Sequence, residues 1–329
     1  MNLPEIKAKK DAINFISQFG GVNKGLNISN NEFEDMQNMS NDYFPVIATR
    51  KKRGIIKTLT KCQGVCSGDR LTYIDDDVLY YNDSPVLTLS AGQERQIVRM
   101  GAYICIFPDG IVYNTITDEV ETIENTVTTT STVTMRMCKL DGTEFDSDNT
   151  HIGDQAPEDP SEKPYWLDTS SSPVILKIWS DSYSMWTSVA TTYVKISSTG
   201  IGTGFKAYDS VKFSGLVIKG FNDYDFNQNL IVYAAGEDYL IVAGLIDLYY
   251  TQEAEVTAKR ELPLMDFVCE MDNRLYGCRY GLNNAGEFVN EVYASKIGDP
   301  TNWNAFAGLD SDSYAARSEE HTSELQSRI

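Results

Sequence analysis

Short runs of β-branched and aromatic residues, broken every few positions by Asp, Asn, Gly or Pro, leave this chain little to build with except antiparallel strands. Leu71-Thr72-Tyr73-Ile74 runs into Asp75-Asp76-Asp77, then into Val78-Leu79-Tyr80-Tyr81 and the turn Asn82-Asp83-Ser84-Pro85. Ile104-Cys105-Ile106-Phe107 runs into Pro108-Asp109-Gly110 and on to Ile111-Val112-Tyr113. Pro108 presets that turn and Gly110 supplies its left-handed position. A third unit of the same shape is Phe267-Val268-Cys269, the turn Asp272-Asn273, and Leu275-Tyr276-Gly277. The first two hairpins lie about 33 residues apart, and repeated antiparallel units of this kind predict propeller blades or a β-sandwich.

Other segments differ in character. Residues 1–54 form a lead-in in which Ser29-Asn30-Asn31-Glu32 has the form of a capping box before Phe33, Met36 and Met39. This spacing predicts a short helix near 30–40, ended by Phe44-Pro45. Residues 55–124 read as blades, 125–262 as an inserted small β-barrel or sandwich, and 263–316 as a further blade. Within the insert, strands are predicted at 127–137, 174–179, 192–196, 210–213, 230–233 and 239–242. The stretch 141–172, rich in Asp, Ser and Pro, reads as a surface loop. The expected fold class is therefore all-β.

Charge and composition narrow the chemistry. The 28 Lys and Arg face 47 Asp and Glu, a net charge of −19. That excess of acid argues against a nucleic-acid-binding surface, which needs clustered cations on phosphates. The charge is uneven: residues 1–61 hold ten Lys/Arg against six Asp/Glu, leaving eighteen against forty-one for the rest. The densest basic run is Arg50-Lys51-Lys52-Arg53, open either to solvent or to an acidic neighbour. No run of eighteen apolar residues predicts a membrane-spanning helix, and the N-terminal residues lack the apolar segment of a signal peptide. Six cysteines form no CxxC pair and read as free thiols.

Motifs for catalysis or ligand binding are incomplete. The chain has two histidines, His151 and His321, too few for a multi-His metal site, and no nucleophile elbow accompanies either. Gly200-Ile201-Gly202-Thr203-Gly204 has the look of a phosphate loop, but the residues after it are too β-like for the required helix. Asp223-x-Asp225-x-Asn227-x-Asn229 starts like a calcium loop, with Gln228 where glycine and Ala234 where glutamate are required. Asp75-Asp76-Asp77 reads as a solvated hairpin tip, and Ser295 to Trp303 misses the spacing of a sialidase box. No enzyme activity, cofactor or metal is implied.

Two stretches carry a family resemblance. One runs from Phe19-Gly20-Gly21-Val22-Asn23 to Phe44-Pro45-Val46-Ile47-Ala48-Thr49-Arg50, with Asn38-Met39-Ser40 between. The other runs from Asp272-Asn273-Arg274-Leu275-Tyr276-Gly277 through Asn290-Glu291-Val292-Tyr293 to Gly298-Asp299-Pro300-Thr301-Asn302-Trp303. With Thr192 to Ile196 and Asp209 to Gly215, they resemble virion structural proteins from phages and prophages of Gram-positive gut bacteria. These are of the tail nozzle or head–tail stabilisation type, similar in plan to the podophage tail tubular B component. The resemblance implies a β-propeller, a homo-oligomeric ring beneath the portal, and contacts with portal, adaptor or tail subunits. It implies no specific nucleic-acid binding, no membrane, and localisation in the virion, with host cytoplasm during assembly. Candidate interface residues are Arg50, Lys51, Lys52 and Arg53, together with Tyr293 and Trp303, for which packing inside a blade is the competing reading. The alternative is a carbohydrate-binding propeller or sandwich that uses Trp166, Trp179 and Trp186 as platforms. Arg317 to Ser327, RSEEHTSELQS, resembles the in-frame translation of a sequencing adapter, so the native sequence is expected to break near Ala316.

Overall fold

The computed structural model describes residues 16–92, 94–303 and 313–317. The fold is all-β, and the single helical element among these residues is a 3-10 turn at Phe221–Asp223. The chain divides into two units, residues 1–59 and 60–329. The tail from 318 onward lies outside the described residues, while Tyr314–Arg317 is a strand.

The first unit pairs β1 (Gly21–Val22) with β2 (Glu32–Phe33) and β3 (Met39–Tyr43) with β4 (Val46–Thr49). The helix predicted near 30–40 does not form. Half of the capping box exists, since Ser29 N donates to Glu32 Oε2 at 2.9 Å, but Glu32 N bonds the backbone carbonyl of Ser29 at 2.9 Å rather than its hydroxyl. They close a turn only. Backbone groups that a helix would use are taken by long-range bonds, Gly20 N to Asn31 O and Asn23 N to Phe33 O. Phe33 packs on Phe19, ring centroids 5.3 Å apart, and tertiary contact overrides local propensity.

The second unit contains three four-stranded antiparallel meanders. The first is β5 (Cys62–Cys66), β6 (Thr72–Asp75), β7 (Val78–Tyr81) and β8 (Ser84–Thr88). The second is β9 (Gln96–Met100), β10 (Tyr103–Phe107), β11 (Ile111–Asn114) and β12 (Glu119–Thr122). Two-residue turns join the tightest hairpins. Asp76 and Asp77, Asn82 and Asp83, and Asp272 and Asn273 all have positive φ, the backbone that matches strand twist in a two-residue hairpin. Gly110 sits at φ 64°, the left-handed position expected of it.

The insert follows: β13 (Asn125–Thr128), β14 (Val133–Cys138), β15 (Thr150–Gly153), β16 (Tyr165–Asp168), β17 (Ile175–Ser180), β18 (Met185–Ser188), β19 (Tyr193–Ser197), β20 (Ser210–Ser214), β21 (Asn229–Gly236), β22 (Tyr239–Ala243), β23 (Tyr249–Gln252) and β24 (Thr257–Arg260). Eight of these form one sheet in the order β13-β24-β20-β21-β22-β19-β14-β23. The ladder has two ends, so of the two expected forms, small barrel or sandwich, a closed barrel is not formed. Its ends are linked by chain: β13 bends into β14 and β23 into β24, and the bends are tied by Thr129 N to Val256 O at 2.9 Å. Val133, Met135, Val194, Ile196, Phe213, Val232 and Val242 form its buried core. Strands β15 to β18 make a separate sheet whose Leu167 and Leu176 join the same core. The loop expected over 141–172 is thus partly structural. Phe145, Trp166 and Leu167 are buried there, and the Asp and Ser residues around them mask that apolar signal in the sequence.

The third meander is β25 (Phe267–Met271), β26 (Arg274–Leu282), β27 (Phe288–Ala294) and β28 (Tyr314–Arg317). First strands of the meanders lie side by side, β9 against both β5 and β25. Two buried arginines tie the parts together. The Arg95 side chain has no exposed surface and bonds Asp77 Oδ1 and Asp109 Oδ2, each at 2.8 Å, one from a turn of each of the first two meanders. Arg260 donates to Ile123 O at 2.8 Å, beyond the end of β12, and to Asp209 Oδ2 at 2.5 Å in the insert. Asp209 is fully buried and its Oδ1 has no partner, so the carboxylate depends on Arg260. Removing one member of a buried pair strands the other charge. Arg260→Met is expected to lose about 3–5 kcal/mol of unfolding free energy, read as a lower urea midpoint with the all-β circular dichroism retained.

Candidate functional site

The basic run follows the β3–β4 hairpin. Pairing of Met39 with Thr49 and Ser40 with Ala48 delivers the chain to Arg50, whose N–H closes the hairpin on Asn38 O at 2.9 Å. Lys51 Nζ stands 5.6 Å from the centre of the Tyr43 ring. Arg50, Lys51, Lys52 and Arg53 are all exposed. Apolar exposure accompanies them: Ile55 is 86% and Ile56 92% exposed, and Phe44 70%. Sequence reasoning missed this pairing of cations with bare isoleucines, although the run Arg53-Gly54-Ile55-Ile56-Lys57 carries it.

Tyr293 and Trp303 are placed differently. Each is only 4% exposed, and both belong to the core shared by the second and third meanders. Trp303 stands edge-on to Phe107 at 6.5 Å and donates Nε1–H to Pro300 O; Tyr293 Oη–H donates to Glu291 Oε2 at 2.6 Å. They pack within the chain and are not surface anchors. The surrounding motif is a joint. Asp299 Oδ1 accepts from Thr301 N and Oγ1, Lys206 Nζ lies 2.8 Å from Asp299 Oδ2, and Asn302 Nδ2 donates to Tyr208 O. Asp299-Pro300-Thr301-Asn302-Trp303 therefore fastens the insert to the third meander.

Other singled-out groups are committed to structure. Asp75 accepts from Lys61 N and Thr60 N, and Asp77 from Gln63 and Arg95, so the triple acid anchors chain on both sides of its turn. Asp225 Oδ1 accepts from Asn227 N, and Asn227 bonds both ways with Leu216, which directs the calcium-like residues at backbone. Gly202 lets the chain pass against Gly236 O, where a Cβ would clash, and a turn rather than a helix follows it. Among the described residues no three His, Cys, Asp or Glu side chains gather into a metal-ligand set.

The three tryptophans of the alternative reading do come together. Trp166, Trp179 and Trp186 lie on the face of β16–β18 opposite Leu167 and Leu176. Trp186 is edge-on to both neighbours, at 5.7 and 5.5 Å. Lys177 Nζ lies 4.6 Å over Trp166 and pairs with Asp168 at 2.7 Å. Asp168 is 2% exposed, and despite the upward push of burial, Lys177 and the hydroxyls of Ser170 and Ser171 hold its carboxyl far below the usual range. A depressed carboxyl pKa stabilises the fold above the unfolded-state value near 4 and loses that contribution as pH falls. Between about pH 4 and pH 2, wild type is expected to lose more stability than Asp168→Asn, compared by urea midpoints.

Thiol chemistry divides along burial. Burial pushes Cys105 up to about 12 and Cys138 up to about 11, whereas Cys62 and Cys269 are exposed. Iodoacetamide at neutral pH is expected to label Cys62 and Cys269 in the native protein, and Cys105 and Cys138 only in denaturant, read by peptide mass spectrometry. No protein family, curated protein or solved structure matches this chain. No helix among the described residues is long and apolar enough to cross a membrane.

Proposed function

We propose that this protein is a structural component of a phage virion at the head–tail connector or tail nozzle, built on propeller blades and assembling with its own copies into a ring for DNA passage. The observation that carries this reading is the side-by-side placement of β5, β9 and β25, the first strands of three four-stranded meanders. First strands gathered in this way are what blades around a common axis require. The virion assignment itself rests on the resemblance of 19–50 and 272–303. Two further features agree with it. The chain outside residues 1–61 carries eighteen Lys/Arg against forty-one Asp/Glu, a field that repels phosphates and suits a passage through which DNA slides without sticking. The exposed Arg50–Arg53 run and its isoleucines are suited to contact with a neighbouring subunit, whether another copy or a portal, adaptor or tail protein.

The purified full-length chain is expected to sediment as a discrete oligomer at micromolar concentration and to appear in negative-stain images as rings with a central opening. A strictly monomeric chain, alone and with detergent-free salt varied, overturns the ring. The clustering of Trp166, Trp179 and Trp186 favours one alternative, carbohydrate binding on the outer face of β15–β18. Among the described residues neither Trp179 nor Trp186 donates its indole N–H, which leaves both suited to a ligand. That reading expects glycan binding that Trp186→Ala abolishes, scored on a glycan array.

A further inference from the structure

We infer that the basic segment Arg50–Lys57 of one copy adds as a strand to the open, acidic edge of β12 in a second copy. This inference rests on the ring reading and names the contact that would build it.

The edge is well defined. β12 is the outer strand of the second meander and, among the described residues, pairs with β11 alone, so its other side offers unpaired backbone groups along Glu119 to Glu121, while Thr122 O is taken by Arg260. All four of its residues, Glu119-Val120-Glu121-Thr122, are exposed. Asp118 and Glu124 flank it and are also exposed, and Ile116 in the preceding turn is 81% exposed. The outer strands of the other meanders, Ser84-Pro85-Val86-Leu87-Thr88 and Tyr314-Ala315-Ala316-Arg317, carry no acid at all. A cleft of about 520 Å³ runs beside β12, lined by Val120, Glu121, Thr122 and Asn125 on one side and the 204–206 turn on the other. Its cations are already engaged, Lys206 with Asp299 and Arg260 with Asp209.

The complementary segment is on the same chain. Lys52 through Ile56 have no secondary structure and make no backbone bond within the described residues. Their composition mirrors the edge: four cations at Arg50 to Arg53 and a fifth at Lys57 against acids at 118, 119, 121 and 124, and bare Ile55 and Ile56 against Ile116 and Val120. Open strand edges are templates for added strands, and charges along them decide which strands are admitted. An acidic edge rejects the acidic surfaces that dominate this protein and admits a basic strand, so repulsion supplies the selectivity as much as attraction does. One arm meeting one edge is a head-to-tail contact, the type that generates rings when its rotation closes.

The test uses full-length protein mixed from ¹⁵N-labelled and unlabelled copies, with a zero-length carbodiimide cross-linker joining Lys to Glu or Asp. Cross-links between Lys51, Lys52 or Lys57 and residues 118–124, joining heavy to light peptides, are expected. R50E/K51E/K52E/R53E and E119K/E121K/E124K should each reduce the particle to the 36.8 kDa single chain by light scattering. Both sets combined in one chain should restore the oligomer, and high salt should weaken it. An oligomer whose cross-links lie elsewhere, or links found only within one copy, overturns this inference and leaves the ring reading intact. A chain that never associates overturns both. The cross-linking arm uses unmodified sequence, so a variant that fails to fold does not decide the outcome.

Discussion

A guanidinium with no exposed surface has to be matched by acceptors on every side, and Arg95 sets the first two meanders relative to each other on that condition. Its partners come from separate elements: Asp77 in the β6–β7 turn, Asp109 in the β10–β11 turn, the Gln63 amide on β5 and the Ser90 carbonyl. Moving either hairpin away would leave a charge in a place where water cannot reach it. Arg260 repeats the arrangement at the root of the insert, where it binds the backbone beyond β12 and the buried carboxylate of Asp209. Burial alone pushes that carboxyl upward, and the arginine beside it is the main opposing influence. In a chain with 47 acids and 28 bases, two of the scarce cations are spent inside, at the joints.

The same logic explains Asp299 to Trp303, at the joint between the insert and the third meander. Asp299 to Trp303 looks like a surface motif because it combines Asp, Pro, Thr, Asn and Trp, all common at binding loops. Here every polar atom named in it turns inward: to its own backbone, to Lys206 and Tyr208 of the insert, or to Ser313. A segment whose polar atoms are committed to an internal joint in this way bears on fold more directly than on binding. Positive charge and bare isoleucine lie exposed together instead in the plain-looking stretch 50–56.

Strands and turns were legible because each rests on local chemistry. Asp and Asn tolerate the positive φ of a two-residue hairpin, so Asp76-Asp77, Asn82-Asp83 and Asp272-Asn273 declare themselves. The strands at 174–179, 192–196, 230–233 and 239–242 were read to within a residue or two at most ends, and extend further only at β21. What failed had contrary local signals. Ser29 to Glu32 carries a helix start, yet the carbonyls of Asn31 and Phe33 accept from Gly20 N and Asn23 N across the chain. Trp166 and Leu167 lie buried inside a stretch whose Asp and Ser content reads as loop. Of the candidate site, Arg50 to Arg53 were found by charge alone, while Tyr293 and Trp303 could be placed only once packing was known.

By itself, then, the sequence determined that this protein is made of short antiparallel strands, where most of them turn, and that its basic residues cluster near one end of an acidic chain. Those properties follow from backbone sterics, side-chain branching and charge, all of which act over a few residues. Tertiary structure decided which aromatic residues are core, which acids face Arg95 and Arg260, and that β12 is left as an open acidic edge. Such outcomes depend on which distant segments meet, and burial and electrostatic pairing have no value until they do.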